Sequence, residues 1–184
     1  RQNKADSLLR GAAATEDAFR ALAPKFGLIM TSTHGDFNAK ALPLGTDLKP
    51  TLTDNAMSEN IIAFAGVNSA LRNRNFDASN LCDGLLSARE LSQLDLSNCR
   101  LFTLSACQTA LGQITSDGVF GLQRGLKNAG VGAMLLSLWS VNSDATAMLM
   151  HNFFSNMSQG QSAHKAFANA REALLAMSAS EEET

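Results

Sequence analysis

The chain has 184 residues, 45% of them hydrophobic and 17% charged, which is enough for one folded domain with a sizeable core. Lysine and arginine number 15 against 17 acidic residues, and no basic stripe is present, so nucleic acid is not an expected partner. No apolar run approaches the ~20 residues of a membrane span. The 3 cysteines fit no zinc, redox or disulfide pattern, so we expect free thiols in a reducing, cytoplasmic compartment.

The N-terminal half predicts short elements separated by polar loops. Ala5–Arg10 predicts a short strand, and Thr15–Leu22 predicts a helix capped by its first residue. Leu28–Thr33 predicts the first strong strand, because it is apolar and rich in strand-forming residues. Residues 38–59 are rich in proline, glycine and polar residues, which indicates a loop or small hairpin, and Asn60–Gly66 predicts another strand.

The C-terminal half alternates strands and helices. Ser87 and Glu90 have the spacing of a capping box and predict a short helix, and Gly130 fits the end of a longer one. The other predicted elements are a strand at Arg100–Ala106, a helix at Gly118–Ala129, a strand at Gly132–Leu138 and helices at Asp144–Met157 and Ser162–Met177. This alternation predicts an α/β domain with a mainly parallel sheet covered by helices on both faces, a three-layer sandwich.

Two of the predicted strands end on reactive side chains. Leu28–Thr33 is followed by His34 and Gly35, and Arg100–Ala106 is followed by Cys107. Parallel strands present their carboxyl ends at one sheet edge, so a base would lie beside a nucleophile, as in cysteine hydrolases. His34 would take the thiol proton, and the backbone N–H groups of Gly35 and Cys107 would bind the oxyanion.

The residues alone also allow non-catalytic interpretations. Most lone cysteines are small buried thiols, and His34 would fit an ordinary loop. Asp144 is favourable at a helix N-terminus without any further role. Cys82 and Cys99 have no evident chemical partner. Nucleotide-binding, zinc-peptidase and serine-hydrolase motifs are absent, and no metal or organic cofactor is expected.

A series of motifs in order along nearly the whole chain resembles one known family, the CHAT domain, a caspase-like domain often attached to tetratricopeptide repeats. The matching stretches are Thr33–Gly35, Asp83–Glu90, Leu104–Gly112, Gly118–Arg124, Leu136–Val141 and Asp144–Thr146. The resemblance implies a caspase–haemoglobinase-like fold and a cysteine endopeptidase with His34 as general base and Cys107 as nucleophile. It also implies a pocket that includes Asp144, with Ser137 and Trp139, and that favours arginine or lysine before the cut.

The chain departs from caspases and from the usual family boundaries. Ser105–Thr109 reads Ser-Ala-Cys-Gln-Thr where caspases have Gln-Ala-Cys-Arg-Gly, so aspartate specificity is not expected, and His34 and Cys107 are further apart than the ~50 residues typical of caspases. We expect one domain over residues 1–184, trimmed at both ends, from a bacterial, cytoplasmic protein. Its expected partners are a protein or peptide substrate and a tetratricopeptide-repeat or other regulatory module. The alternative is a catalytically silent domain that serves as an interaction or regulatory platform.

Overall fold

The structure is a computed structural model, and it describes most of the predicted strands and helices. The described residues are 6–33, 35–36, 60–67, 83–105, 114–115, 118–119, 121–137 and 143–182. The chain divides into two compact units, Arg1–Trp139 and Ser140–Thr184.

The first unit carries all the strands found in these residues. In chain order they are β1 (Leu28–Ser32), β2 (Gly35–Asp36), β3 (Ile61–Ala63), β4 (Leu85–Ser87), β5 (Leu101–Ser105), β6 (Ile114–Thr115), β7 (Gly118–Val119) and β8 (Met134–Leu136). Its α-helices are α1 (Glu16–Leu22), α2 (Ala88–Leu91) and α3 (Leu122–Asn128), with 3-10 turns at Gly11–Ala13 and Ala23–Lys25.

The main sheet is parallel, with strand order β1-β5-β8. Ser32 pairs with Ser105 across β1 and β5, and Leu104 pairs with Leu136 across β5 and β8. Four of the five residues of β5 are buried, because this strand lies between the other two, whereas exposed and half-buried residues alternate along β1. The predicted mainly parallel α/β sheet is therefore confirmed.

A second, antiparallel sheet has the order β2-β3-β4. Gly35 pairs with Ile62, which pairs with Leu86 on its other side. A two-stranded ladder joins β6 and β7, with Ile114 opposite Val119. The sequence predicted β3 alone of the strands in these two small sheets.

The hydrophobic core of the first unit joins one face of the parallel sheet to helices α1, α2 and α3. Its larger buried side chains are Phe19, Ile62, Leu86, Leu91, Leu96, Phe102, Leu104, Leu122 and Leu126. The ring of Phe19 packs against Phe64, with centroids 5.1 Å apart, and meets Phe102 edge-on at 6.3 Å. Strands β3 and β4 share this core, so the two sheets are packed as one unit.

Two local predictions are wrong. Residues 6–10 form no strand and lead instead into the 3-10 turn at Gly11–Ala13. The predicted helix at Gly118–Ala129 begins only at Leu122, because Gly121 has φ +138 and cannot continue a helix. A Cβ at Gly121 would also lie 2.9 Å from Cγ of Asn60, so the chain passes close to that buried side chain.

The second unit consists of two helices, α4 (Ser143–Ser158) and α5 (Ala163–Glu182), joined by a short turn. Phe153 on α4 and Ala166 and Ala170 on α5 are buried, and the ring of Phe153 meets Phe167 edge-on at 6.2 Å. Both helices were predicted, and both run longer than expected. None of the helices in the described residues combines the length and apolar content that a membrane span requires.

Candidate active site

Strands β1 and β5, which precede His34 and Cys107 in the sequence, lie side by side and end at paired residues. Ser32 at the end of β1 pairs with Ser105 at the end of β5. His34 follows Ser32 by two residues, and Cys107 follows Ser105 by two residues. His34 and Cys107 themselves lie outside the described residues. The chain therefore leaves adjacent parallel strands at the same sheet edge to reach both positions.

The described residues next to His34 are held by backbone pairing. The N–H of Thr33 donates to the carbonyl oxygen of Ser105 at 3.3 Å, which extends the β1–β5 ladder beyond the strand end. The Thr33 hydroxyl donates to the carbonyl oxygen of Ala63 on β3 at 2.5 Å. Gly35, the expected oxyanion donor, begins β2 and pairs with Ile62 on β3. Thr33 is thus hydrogen-bonded to β3, and Gly35 lies opposite Ile62 of β3 in the antiparallel sheet.

The third strand of the parallel sheet leads to two of the expected substrate-binding residues. Leu136 ends β8 and pairs with Leu104, and half-buried Ser137 follows it directly. Trp139 lies outside the described residues, three positions beyond Leu136. Cys107 also lies three positions beyond Leu104 in the sequence, so Cys107 and Trp139 are equally far along the chain from a paired set of residues.

Asp144, the expected acidic group of the pocket, is the second residue of α4 in the second unit. Its side chain is exposed. A carboxylate in the first turn of a helix is stabilised by the partial positive charge of the free N–H groups there. The sequence correctly predicted this helix start, and the expected role of Asp144 in substrate binding stays a prediction.

A buried carboxylate supports the antiparallel sheet, and no motif in the sequence indicates its role. Glu16 is 1% exposed, and its carboxylate accepts hydrogen bonds from the Nε of Arg20 at 2.8 Å and from the N–H of Gly84 at 3.0 Å. Arg20 also donates to Glu90 at 2.9 Å, and Glu90 forms the predicted capping box with Ser87. Burial, which outweighs the attraction of Arg20, raises the pKa of Glu16 above 4.5.

Hydrogen bonds connect this carboxylate network to the candidate site through β3. Gly84, held by Glu16, accepts a hydrogen bond from the N–H of Phe64 at 2.7 Å. Phe64 follows directly on Ala63, the partner of the Thr33 hydroxyl. The sequence shows Glu16 as a favourable first-turn residue, but no local pattern links it to a glycine 68 positions away.

Cys99 is the cysteine whose surroundings are described, and it is not suited to nucleophilic chemistry. It is 1% exposed, and its thiol donates to the carbonyl oxygen of Leu101 at 3.3 Å. Burial raises the pKa of the Cys99 thiol, so little thiolate forms at neutral pH. This environment makes Cys99 part of the hydrophobic core, in agreement with the expectation that it has no chemical partner. In the described part of the chain, no group of three or more His, Cys, Asp or Glu side chains could hold a metal.

Part of this chain is similar to two mammalian proteins. Tetratricopeptide repeat protein 28 of Mus musculus is 36% identical over 94 residues, and the Homo sapiens protein of that name is 34% identical over 94 residues. Each match covers 51% of this chain, and the chain spans only 4% of these curated relatives. Both relatives are mammalian, which does not support the expected bacterial source, and both are named for the expected repeat module.

The family assignment rests on nearly the full length of the chain. No solved structure matched the chain. The model of the CHAT domain family matches residues 1–183, in agreement with the motifs in the sequence and with the parallel sheet described above. The chain belongs to the CHAT domain family.

Proposed function

We propose that this chain is a cysteine endopeptidase domain that uses Cys107 as nucleophile and His34 as general base. In this proposal residues 1–184 form one domain of the caspase–haemoglobinase type, a three-layer sandwich. The observation that carries the proposal is the register of β1 and β5, where Ser32 pairs with Ser105. Equal two-residue extensions from this pair lead to His34 and Cys107, which is the arrangement a dyad at the carboxyl edge of a sheet requires.

The proposed reaction follows from the chemistry of a thiol beside an imidazole. His34 takes the proton of the Cys107 thiol, and the thiolate sulfur attacks the scissile carbonyl carbon. The backbone N–H groups of Gly35 and Cys107 stabilise the oxyanion that forms. When the tetrahedral intermediate collapses, the C–N bond breaks and His34 gives its proton to the leaving amine. Water then attacks the thioester, releases the carboxylate product and restores the thiol.

For substrate selection we propose that Asp144 attracts a basic side chain before the cut, and that Ser137 and Trp139 also contribute to substrate binding. Two observations support this part. Asp144 is an exposed acid near the start of α4. Ser137 and Trp139 continue from β8, which pairs with the Cys107 strand. A substrate arginine or lysine would form a charge-assisted hydrogen bond with the carboxylate.

We also propose that the peptidase is controlled by an attached or separate tetratricopeptide-repeat module. Support comes from the two mammalian relatives, which carry this repeat in their names and are far longer than the present chain. Control of this kind would limit cleavage to times when the repeats have bound a partner.

The direct test is cleavage of a fluorogenic peptide library by the complete protein that contains this chain. We expect cleavage after arginine or lysine, and we expect Cys107→Ala to lower kcat/KM at least about a thousandfold. The matched control is Cys99→Ala, which removes a buried thiol and leaves the proposed dyad intact. Cleavage that survives in Cys107→Ala would contradict the proposed nucleophile.

The pocket is tested separately with Asp144→Asn, which removes the charge and keeps the side-chain size. We expect cleavage after arginine or lysine to fall about a hundredfold. Glu172→Gln is the matched control, because Glu172 is an exposed acid on α5 of the same unit. Equal losses in the two variants, or no loss in Asp144→Asn, would contradict the acidic pocket while leaving the dyad in place.

A further inference from the structure

Thr33 joins the two sheets of the first unit at the residue before His34. Its N–H donates to Ser105 of the parallel sheet at 3.3 Å, and its hydroxyl donates to Ala63 of the antiparallel sheet at 2.5 Å. Thr33 is half-buried, so these bonds are partly shielded from competing water. One residue therefore fixes the end of β1 in two directions.

The hydrogen bond from the Thr33 hydroxyl adds a contact at the end of β1, a strand that is only partly buried. In the described sheet, β1 pairs only with β5, and its side chains alternate between exposed and half-buried. The bond from Thr33 to Ala63, together with the pairing of Gly35 and Ile62, attaches both neighbours of His34 to β3.

We propose that Thr33 is a positioning residue that, through its hydroxyl bond to Ala63, holds His34 at the distance from Cys107 that proton transfer requires. This role rests on the proposed function. Proton transfer needs the two heavy atoms at about 2.6–3.2 Å, so a small shift of the backbone before His34 weakens the dyad. Loss of the hydroxyl then raises the pKa of the Cys107 thiol and slows its reaction with electrophiles.

The test compares three variants of the complete protein. Thr33→Val removes the hydroxyl and keeps the shape, and Thr33→Ser keeps the hydroxyl. Thr103→Val is the matched control, because the Thr103 hydroxyl also bonds β5 to β1, through the carbonyl oxygen of Ile29 at 3.3 Å. The rate of Cys107 alkylation by iodoacetamide is measured from pH 5 to 10 by peptide mass spectrometry. Alkylation of buried Cys99 in the same samples reports any unfolding.

In the wild type we expect Cys107 to be alkylated with a pKa below the ordinary value of about 8.5. In Thr33→Val we expect this pKa to rise by about one unit and the alkylation rate at pH 6 to fall about tenfold, with Cys99 still protected. Thr33→Ser and Thr103→Val should keep the wild-type profile.

Each other outcome overturns the inference in a recognisable way. A Thr33→Val profile equal to that of the wild type would remove the role of Thr33 and leave the proposed peptidase intact. If the Cys107 pKa rose equally in Thr103→Val, Thr33 would support the sheet in general and would have no specific role in positioning His34. An ordinary Cys107 pKa in the wild type would contradict the dyad itself, and the inference with it.

Discussion

The buried carboxylate of Glu16 allows a quantitative prediction of folding stability. It accepts a hydrogen bond from Gly84, directly before a strand of the antiparallel sheet that supports the candidate site. Glu16→Ala would leave the N–H of Gly84 buried without its acceptor, which costs about 1–3 kcal/mol. Loss of the buried side-chain methylene adds about 0.8 kcal/mol. Arg20 keeps Glu90 as a partner at 2.9 Å, so it is not left as an isolated charge.

We therefore expect Glu16→Ala to lower the free energy of unfolding by about 3 kcal/mol, measured by urea denaturation. The matched control is Asp17→Ala, because Asp17 is the neighbouring acid in the first turn of α1 and is exposed. Its removal should cost less than about 1 kcal/mol. Similar costs for the two variants would contradict the structural role of the Glu16 carboxylate.

The pH dependence of the same site has a definite sign. The folded pKa of Glu16 is raised above the ordinary value of 4.5, so the folded state binds the proton more tightly than the unfolded state. The contribution of Glu16 to stability is then greatest below about pH 4.5 and falls as the pH rises through the folded pKa. Relative to Glu16→Gln, which cannot ionise, the wild type should lose stability as the pH rises above about 4.5. If the wild type instead gained stability relative to Glu16→Gln as the pH rises, the attraction of Arg20 would exceed the cost of burying the Glu16 carboxylate.

Three further predictions concern the close packing at Gly125, the helix cap at Ser87 and the buried thiol of Cys99. Gly125→Ala should lower the free energy of unfolding by about 1–3 kcal/mol although alanine favours helices, because its Cβ would lie 2.5 Å from the carbonyl oxygen of Ala88; a stabilised variant in urea denaturation would refute this. Ser87→Ala should cost about 1 kcal/mol by removing the capping box with Glu90, and an unchanged urea midpoint would contradict it. Cys99 should be alkylated only as denaturant unfolds the chain, and rapid labelling of the native protein would show that it is not buried.

The strands of the parallel sheet could be predicted because their signal is local. Leu28–Ser32 and Leu101–Ser105 are short apolar runs of strand-forming residues bounded by turn residues, so they have no strong competing structure. The caps at Thr15 and Ser87 were predicted for the same reason, since a capping residue and its partner lie within three positions. Sequence motifs then pointed to the residues after β1 and β5.

Of the antiparallel sheet, the sequence predicted β3, which lies in a longer apolar run, but not β2 and β4, which are two and three residues long. At that length the alternation of side chains is too brief to distinguish a strand from a loop. Its pairing is set by distant residues, such as Gly35 with Ile62 and Ile62 with Leu86. The late start of α3 was missed for a related reason, because Gly121 contacts Asn60, which is remote in sequence.

The different burial of β1 and β5 explains why the proposed base would need an extra attachment and the proposed nucleophile would not. The strand that leads to Cys107 is paired on both sides and nearly fully buried, so its position is fixed by the core. Among the described residues, the strand that leads to His34 is paired with β5 alone, and exposed and half-buried side chains alternate along it. The bond from Thr33 to Ala63 and the pairing of Gly35 add contacts with β3. In the proposed function, placement of the base would then depend on β3, and the Glu16 network, which holds Gly84 beside Phe64 at the end of β3, would be part of the support of the site.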